Sequence, residues 1–272
     1  MTKLNDEQIN TYRADGLLSP LRVMSEAEAS EFRQNMEDTE AEHGSMTGKY
    51  RSQKWHLLLT WLSELVHDPA ILDPVESVLG PDILCWGTSV LIKEPGDGTH
   101  VSWHQDLQYW GLEPDDVVSA WLALTPATQE TGCMRMLAGS HTWTDLVHED
   151  TDDDKNLLSR GQSIRDGIDE DAARILQLQP GEISLFHGNI AHASSPNSGT
   201  ERRIGIVTRY LAPNVRQTKN ADSAMLVRGQ DTHGHFTLEA APQADFDAAA
   251  QAEHDRIMNL RHAVLLDMQE SA

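Results

Sequence analysis

Residues 102–112, SWHQDLQYWGL, carry a histidine and a carboxylate two positions apart, His104 and Asp106. On an extended strand, positions i and i+2 share a face. The imidazole and the carboxylate then converge on one point, as two ligands of a 2-His-1-carboxylate metal face. A His-x-Asp pair alone is frequent by chance, so a third ligand is required. Residues 185–213, LFHGNIAHASSPNSGTERRIGIVTRYLAP, offer His187 and His192 just after a strand-like run. A turn follows, and Arg202-Arg203 opens the next strand.

A three-ligand face leaves open positions on Fe(II). Such a face needs a reductant that chelates the metal, and 2-oxoglutarate does so with its keto acid. Its far carboxylate suits a bidentate arginine. An arginine at the head of the strand after the last histidine is well placed for that grip.

Around these stretches the chain changes texture. Residues 4–41 read as two helices, the first stopping at Asp15-Gly16 and the second opening at Ser25 with early acids. Trp55–Val66 and Ala70–Leu79 read as two more apolar helices. Ile83–Lys93, Val117–Leu124, Cys133–Leu137, Glu182–Phe186 and Arg203–Leu211 read as strands bounded by Gly or Pro. Short strands without a βαβ rhythm predict a mainly β fold with flanking α-helices, an antiparallel sandwich or a jelly roll. Residues 145–173 are acidic and read as a surface loop with a short helix, and 244–268 as an amphipathic helix with Phe246, Ile257, Leu260 and Val264 apolar. The whole of 1–272 reads as one domain: a helical region 1–80, a β core about 81–213, and a C-terminal extension 214–272.

The 272 residues carry 21 Lys and Arg against 43 Asp and Glu, a formal charge of −22. That field repels polyanions, so nucleic acid and anionic membrane are excluded as partners. A small anionic substrate stays open, because a pocket's charge can oppose the net charge. Two cysteines, Cys85 and Cys133, and an opening MTKLNDEQIN without an apolar stretch predict a reduced, cytoplasmic protein. No apolar run approaches the roughly 20 residues that span a bilayer. Composition leaves the oligomeric state open.

In order along the chain, LNDEQINTYRADGLL, SWHQDLQYWGL, VVSAWLALTPATQETGCMRMLAGSH and LFHGNIAHASSPNSGTERRIGIVTRYLAP resemble the phytanoyl-CoA dioxygenase family of Fe(II)/2-oxoglutarate oxygenases. The resemblance covers nearly the whole chain. It implies a double-stranded β-helix (jelly-roll, cupin-like) core. It implies Fe(II), 2-oxoglutarate and O2 as cofactor and cosubstrates, with ascorbate as an aid in vitro. The family pattern places His104, Asp106 and His192 on the metal. Ser two, Asn five and Arg eleven positions after the last histidine match Ser194, Asn197 and Arg203. Arg203 rather than Arg202 is then the clamp on the far carboxylate, with Ser194, Trp121 and Lys93 around the cosubstrate.

Tyr109, Trp110, His187 and Arg209 are candidates for the substrate pocket. The implied reaction turns 2-oxoglutarate into succinate and CO2 while a substrate C–H is hydroxylated. Halogenating members lack the carboxylate, so Asp106 favours hydroxylation. The short chain and WHQDLQYWGL resemble bacterial members acting on small polar metabolites, the 2-aminoethylphosphonate dioxygenases among them. Arg51, Lys54, His56, Arg135 or Arg209 would meet a phosphonate, and Tyr109 and Trp110 an ammonium. Other substrates are an amino acid, a natural-product intermediate, a protein side chain or an acyl-CoA, the last disfavoured by the acidity. A non-catalytic cupin-like binding protein would lack one of the ligands or the arginine, and this chain has all four.

Overall fold

The computed structural model describes residues 3–47 and 53–270, with side chains in the last helix described only as far as Arg261. The fold is the expected double-stranded β-helix with flanking helices. The major sheet has seven strands, in the order Leu17–Arg22, Glu182–His187, Val117–Ala123, Arg203–Leu211, Ile83–Lys93, Ser223–Arg228, Thr237–Leu238. The minor sheet has four: Val101–His104, His192–Ser194, Met134–Met136, Arg174–Leu176. Neighbours are antiparallel except the outermost pair of the major sheet.

Strand parity explains the packing. In Arg203–Leu211, Ile204, Ile206 and Tyr210 point outward into a core shared with Leu62, Leu65, Ile71, Leu72 and Val75 of the N-terminal helices. Tyr210 Oη donates to the Val66 carbonyl (3.1 Å). The odd positions point inward, where Val207 packs with Trp121, Met134, Met136 and Phe186. Both faces of the central strands are therefore apolar, and Val117–Ala123 is buried at every position.

The two early helices form at Asp6–Asp15 and Glu26–His43, each opened by a reciprocal cap, Asn5 with Gln8 and Ser25 with Glu28. Between them the structure inserts a strand, Leu17–Arg22, where the sequence predicted none. Pro20 masks it, yet proline is tolerated on a sheet edge, and this strand is the sheet's outer edge. The expected helix over Trp55–Val66 is a 3-10 turn, Trp55–Leu57, followed by a helix, Thr60–Val66. The major sheet also recruits Ser223–Arg228 and Thr237–Leu238, beyond the expected core span. The last helix runs Ala248–Glu270 and buries Ile257. Phe246 lies just before it and stacks on His43 at 3.8 Å, whereas the Val264 side chain lies outside the described residues.

A fully buried ionic cluster fastens the C-terminal extension to the rest. Lys54 donates to Glu239 and to the Ser223 carbonyl (2.8 Å), His56 Nε2 meets Glu239 at 3.3 Å, and Ser223 Oγ donates to Glu239 at 2.6 Å. Burial pushes the Glu239 carboxyl up, but the Lys54 ammonium and the His56 hydrogen bond outweigh it and hold it down to about 2. No helix among the described residues is long and apolar enough to cross a membrane.

Candidate active site

His104 and His192 are direct antiparallel partners on adjacent strands of the minor sheet. Their ring centroids lie 4.1 Å apart. Asp106 joins them differently from the strand reading. The strand stops at His104, and Asp106 has helical backbone (φ −60°, ψ −48°) ahead of the short helix Leu107–Trp110. A turn, not strand alternation, brings its carboxylate back to 3.3 Å from His104 Nε2 and 4.0 Å from His192 Nε2. One ligand atom from each of the three residues lies within 4.8 Å of the others.

The tautomers are set by the backbone. His104 Nδ1 donates to the Ser102 carbonyl (2.9 Å) and His192 Nδ1 to the Ile190 carbonyl (3.0 Å). A carbonyl only accepts, so each neutral ring keeps its Nε2 lone pair for the centre, the usual arrangement of a metal-binding histidine. Burial and the neighbouring His104 pull His192 down to about 4, which keeps it neutral. Burial raises the Asp106 carboxyl, but the His104 hydrogen bond and the charges of His192, His104 and Arg209 leave it below the ordinary value. Two neutral imidazoles and a carboxylate form a donor set that fits a divalent metal.

The surrounding loops are tied down. Gln105 is buried, and its amide reaches the carbonyls of Asn189 (2.7 Å), Ser140 and Trp143 (3.3 Å each). The Gln105 N–H donates to His148 Nε2 at 3.2 Å. Neither role carries a local sequence signal. Leu157 and Leu158, inside the acidic stretch expected to be a surface loop, line the metal cavity. Asn156 anchors that loop, donating to Ser102 Oγ at 2.8 Å, so it is a wall of the site.

Arg203 lies fully inside, on the strand beside Lys93. Its Nη1 donates to the Gly132 carbonyl (2.7 Å), its guanidinium lies 5.4 Å from the Trp121 ring centre, and among the described residues its buried Nε has no partner. Burial pulls the guanidinium down to about 10. An orphaned buried donor of this kind calls for an acceptor from a ligand. Arg202 points the other way, to Glu94 and Glu40 (3.0 Å). Asn197 donates to the carbonyls of Lys93 (3.0 Å) and Glu201 (2.8 Å), folding the turn that presents Arg203. Gly205 is required here: a Cβ would stand 2.1 Å from Trp121 Cζ2.

Trp121, Ser194 and Arg203 line the metal cavity, together with His104, Asp106 and His192. Lys93 does not. Its Nζ donates to Ser194 Oγ (2.7 Å) and to the carbonyls of Ser194 (3.2 Å) and Ser195. These three contacts hold its Nζ behind Ser194 rather than against a cosubstrate. Burial and the Arg203 charge pull Lys93 down to about 6.

Tyr109 and Trp110 line a second cavity, with Trp86, Arg209 and Leu260 and Arg261 of the last helix. Arg209 lines both cavities. His187 lines neither; it follows the inward Phe186, so strand parity puts it on the opposite face, where it meets Asp115 at 3.7 Å and His141. Of the cations expected to meet a phosphonate, Lys54 and His56 are buried on Glu239 and Arg135 pairs with Glu170 at 2.7 Å. Arg51 lies outside the described residues.

A family model described as Phytanoyl-CoA dioxygenase (PhyH) matches residues 12–205. A probable alpha-ketoglutarate-dependent hypophosphite dioxygenase of Stutzerimonas stutzeri is 26% identical over 197 residues, 72% of this chain and 66% of that protein. The human peroxisomal phytanoyl-CoA dioxygenase is 31% identical over 149 residues, 53% of this chain and 44% of that protein. The chain thus spans about half to two thirds of these curated relatives. Among solved structures, the non-heme monooxygenase ThoJ in its apo form is 34% identical, with a TM-score of 0.85 over 97% of this chain and 100% of ThoJ.

Proposed function

The chain belongs to the phytanoyl-CoA dioxygenase family, and we propose that it is an Fe(II)- and 2-oxoglutarate-dependent hydroxylase of a small molecule. One observation carries this reading: three metal-ligating side chains meet in a cavity that also holds a buried arginine with an unpartnered Nε. Bound iron and 2-oxoglutarate supply the oxidation, in which O2 is consumed, 2-oxoglutarate becomes succinate and CO2, and one oxygen enters a substrate C–H.

The chain's own residues bind and orient. His104 and His192 offer Nε2 with the tautomer already set, so no reorganisation is needed when the metal enters. Asp106 offsets part of the metal's charge. Arg203 grips the far carboxylate of 2-oxoglutarate, with Ser194 beside it and Trp121 as a wall. Leu91, Phe186 and Val207 line the same cavity and keep water from the reacting atoms.

The finer reading is oxidation of 2-aminoethylphosphonate to its 1-hydroxy derivative, as in phosphonate breakdown. Two things support it: Arg209 on the cavity wall, able to meet a phosphonate, and a relative named for a phosphorus oxyanion. The test is anaerobic reconstitution with Fe(II) and 2-oxoglutarate, then substrate-dependent succinate formation across aminophosphonates, amino acids, betaines and acyl-CoAs. Succinate that rises with 2-aminoethylphosphonate upholds the finer reading, and turnover only with other compounds replaces it. A His104→Ala protein making succinate at the full rate would overturn the hydroxylase reading itself.

A further inference from the structure

The strand Arg203–Leu211 works as a ruler through the site. Its inward positions are Arg203, Gly205, Val207 and Arg209, so both ends carry a guanidinium on the same face. Six residues at about 3.3 Å each put the two Cα atoms roughly 20 Å apart. The Asp106 carboxylate lies within the electrostatic reach of Arg209. Arg203 and Arg209 therefore enter the cavity from opposite ends, and with Arg203 on the cosubstrate carboxylate Arg209 is left for another ligand.

Arg209 is the least satisfied cation around the second cavity. Its Nη1 donates to Ser89 Oγ at 3.1 Å, its Nε is out of reach of water and has no partner, and among the described residues no carboxylate pairs with it. Asp106 helps it only through space, and a metal would claim that charge. The carboxylate of this wall, Asp222, is already matched. Asp222 accepts from Arg261 (3.2 and 3.1 Å), Trp86 Nε1 (2.6 Å) and the Ser223 N–H (2.8 Å).

The aromatic faces that would seat an ammonium are covered as well. Arg209 lies 5.0 Å from the Trp110 ring centre, Arg261 4.3 Å from Trp86, and Arg160 5.8 Å from Tyr109. A ligand cation would have to displace a tethered guanidinium, with like charge beside it. An anion meets a donor that has none.

We infer that the primary substrate is an organic anion whose carboxylate or phosphonate head binds Arg209, with its body in the cavity between Trp110, Trp86 and Leu260. This rests on the hydroxylase reading and names the substrate class for it. The head would sit beside the metal centre, so the C–H offered for oxidation is close to the anionic group. The family match ends at residue 205, so Arg209 and the last helix that closes this cavity lie outside the shared segment.

The test uses protein loaded anaerobically with Fe(II) and saturating 2-oxoglutarate. 3-Phenylpropionate, benzylphosphonate and neutral 3-phenylpropionamide are titrated in turn, read by calorimetry and by tryptophan fluorescence from Trp86 and Trp110. At least one anion is expected to bind at least about tenfold more tightly than the amide, as one charge-assisted hydrogen bond provides. Which anion wins separates a carboxylate from a phosphonate head. Arg209→Gln should erase the preference, and Arg209→Lys should keep part of it. Equal binding of anions and amide, no binding of either anion, or an unchanged preference in Arg209→Gln overturns the inference. Binding of 2-oxoglutarate is measured on the same samples. Its absence from the wild type breaks the hydroxylase reading instead, and its loss in Arg209→Gln alone shows Arg209 serving the cosubstrate.

Discussion

Arg203 and Arg209 stand at opposite ends of one strand and face one interior, yet the two ends are built differently. The Arg203 end is closed. Lys93, Ser194, Asn197 and Arg203 are all buried there, tied to one another's loops by direct hydrogen bonds, and within or beside the segment shared with the family. The Arg209 end is assembled from distant pieces: Trp86 from a central strand, Trp110 from the turn after the metal motif, Asp222 and Arg261 from the C-terminal extension. One end is a single block of neighbouring residues, while the other depends on segments far apart in the chain.

The metal triad lies between the two ends, so its loss should have the largest effect. His192→Ala and Asp106→Ala should each abolish Fe(II) binding and reduce turnover to background, measured by metal content after dialysis and by succinate formation. Full iron occupancy in either variant would break the assignment. Next comes Arg203, the proposed clamp. Arg203→Gln should raise the 2-oxoglutarate KM about 10- to 100-fold, the worth of a charged hydrogen bond of about 1.5–3 kcal/mol. Arg202→Gln, whose partners are the outward Glu94 and Glu40, should leave KM within about twofold. Equal effects would refute the strand register.

The far end has its own weak point. Glu239→Ala leaves the buried Lys54 ammonium without its carboxylate, at a cost of about 3–5 kcal/mol in stability. Denaturant unfolding should register that loss, while 2-oxoglutarate affinity in the folded protein should hold. Acid sharpens the same point. Glu239 is held at about 2 against an ordinary 4.5, so its stabilisation is complete above pH 4.5 and is lost as pH falls toward 2. The gap in Tm between wild type and Glu239→Ala should therefore narrow over that window, and a gap that widens would contradict the cluster. A smaller loss of stability is expected from Gly205→Ala. Its methyl would strike Trp121, costing about 1–3 kcal/mol and loosening the cosubstrate wall.

The closed end was legible because its signals are local. Spacing after His192, strand parity and Ser/Asn turn chemistry all lie within residues 192–209, and the structure brings those residues together. The strand Leu17–Arg22 escaped because Pro20 argues against a strand unless the edge position is known. Asp106 converges through a turn, which i, i+2 reasoning on a strand misplaces. Leu157 and Leu158 were hidden by acidic neighbours that read as a solvated loop. The second cavity had no local signal at all, since its wall joins segments far apart in the chain. Lys93 was found by position, but its three acceptors, visible only in three dimensions, turn it toward Ser194.

Calorimetric binding of 2-oxoglutarate tests the central claim most directly, run anaerobically with and without Fe(II) on wild type, His192→Ala, Arg203→Gln and Arg209→Gln. One molecule per chain should bind to the wild type only when the metal is present, should be lost in His192→Ala, strongly weakened in Arg203→Gln, and retained in Arg209→Gln. Binding that ignores the metal, or that is undiminished in Arg203→Gln, would contradict the account.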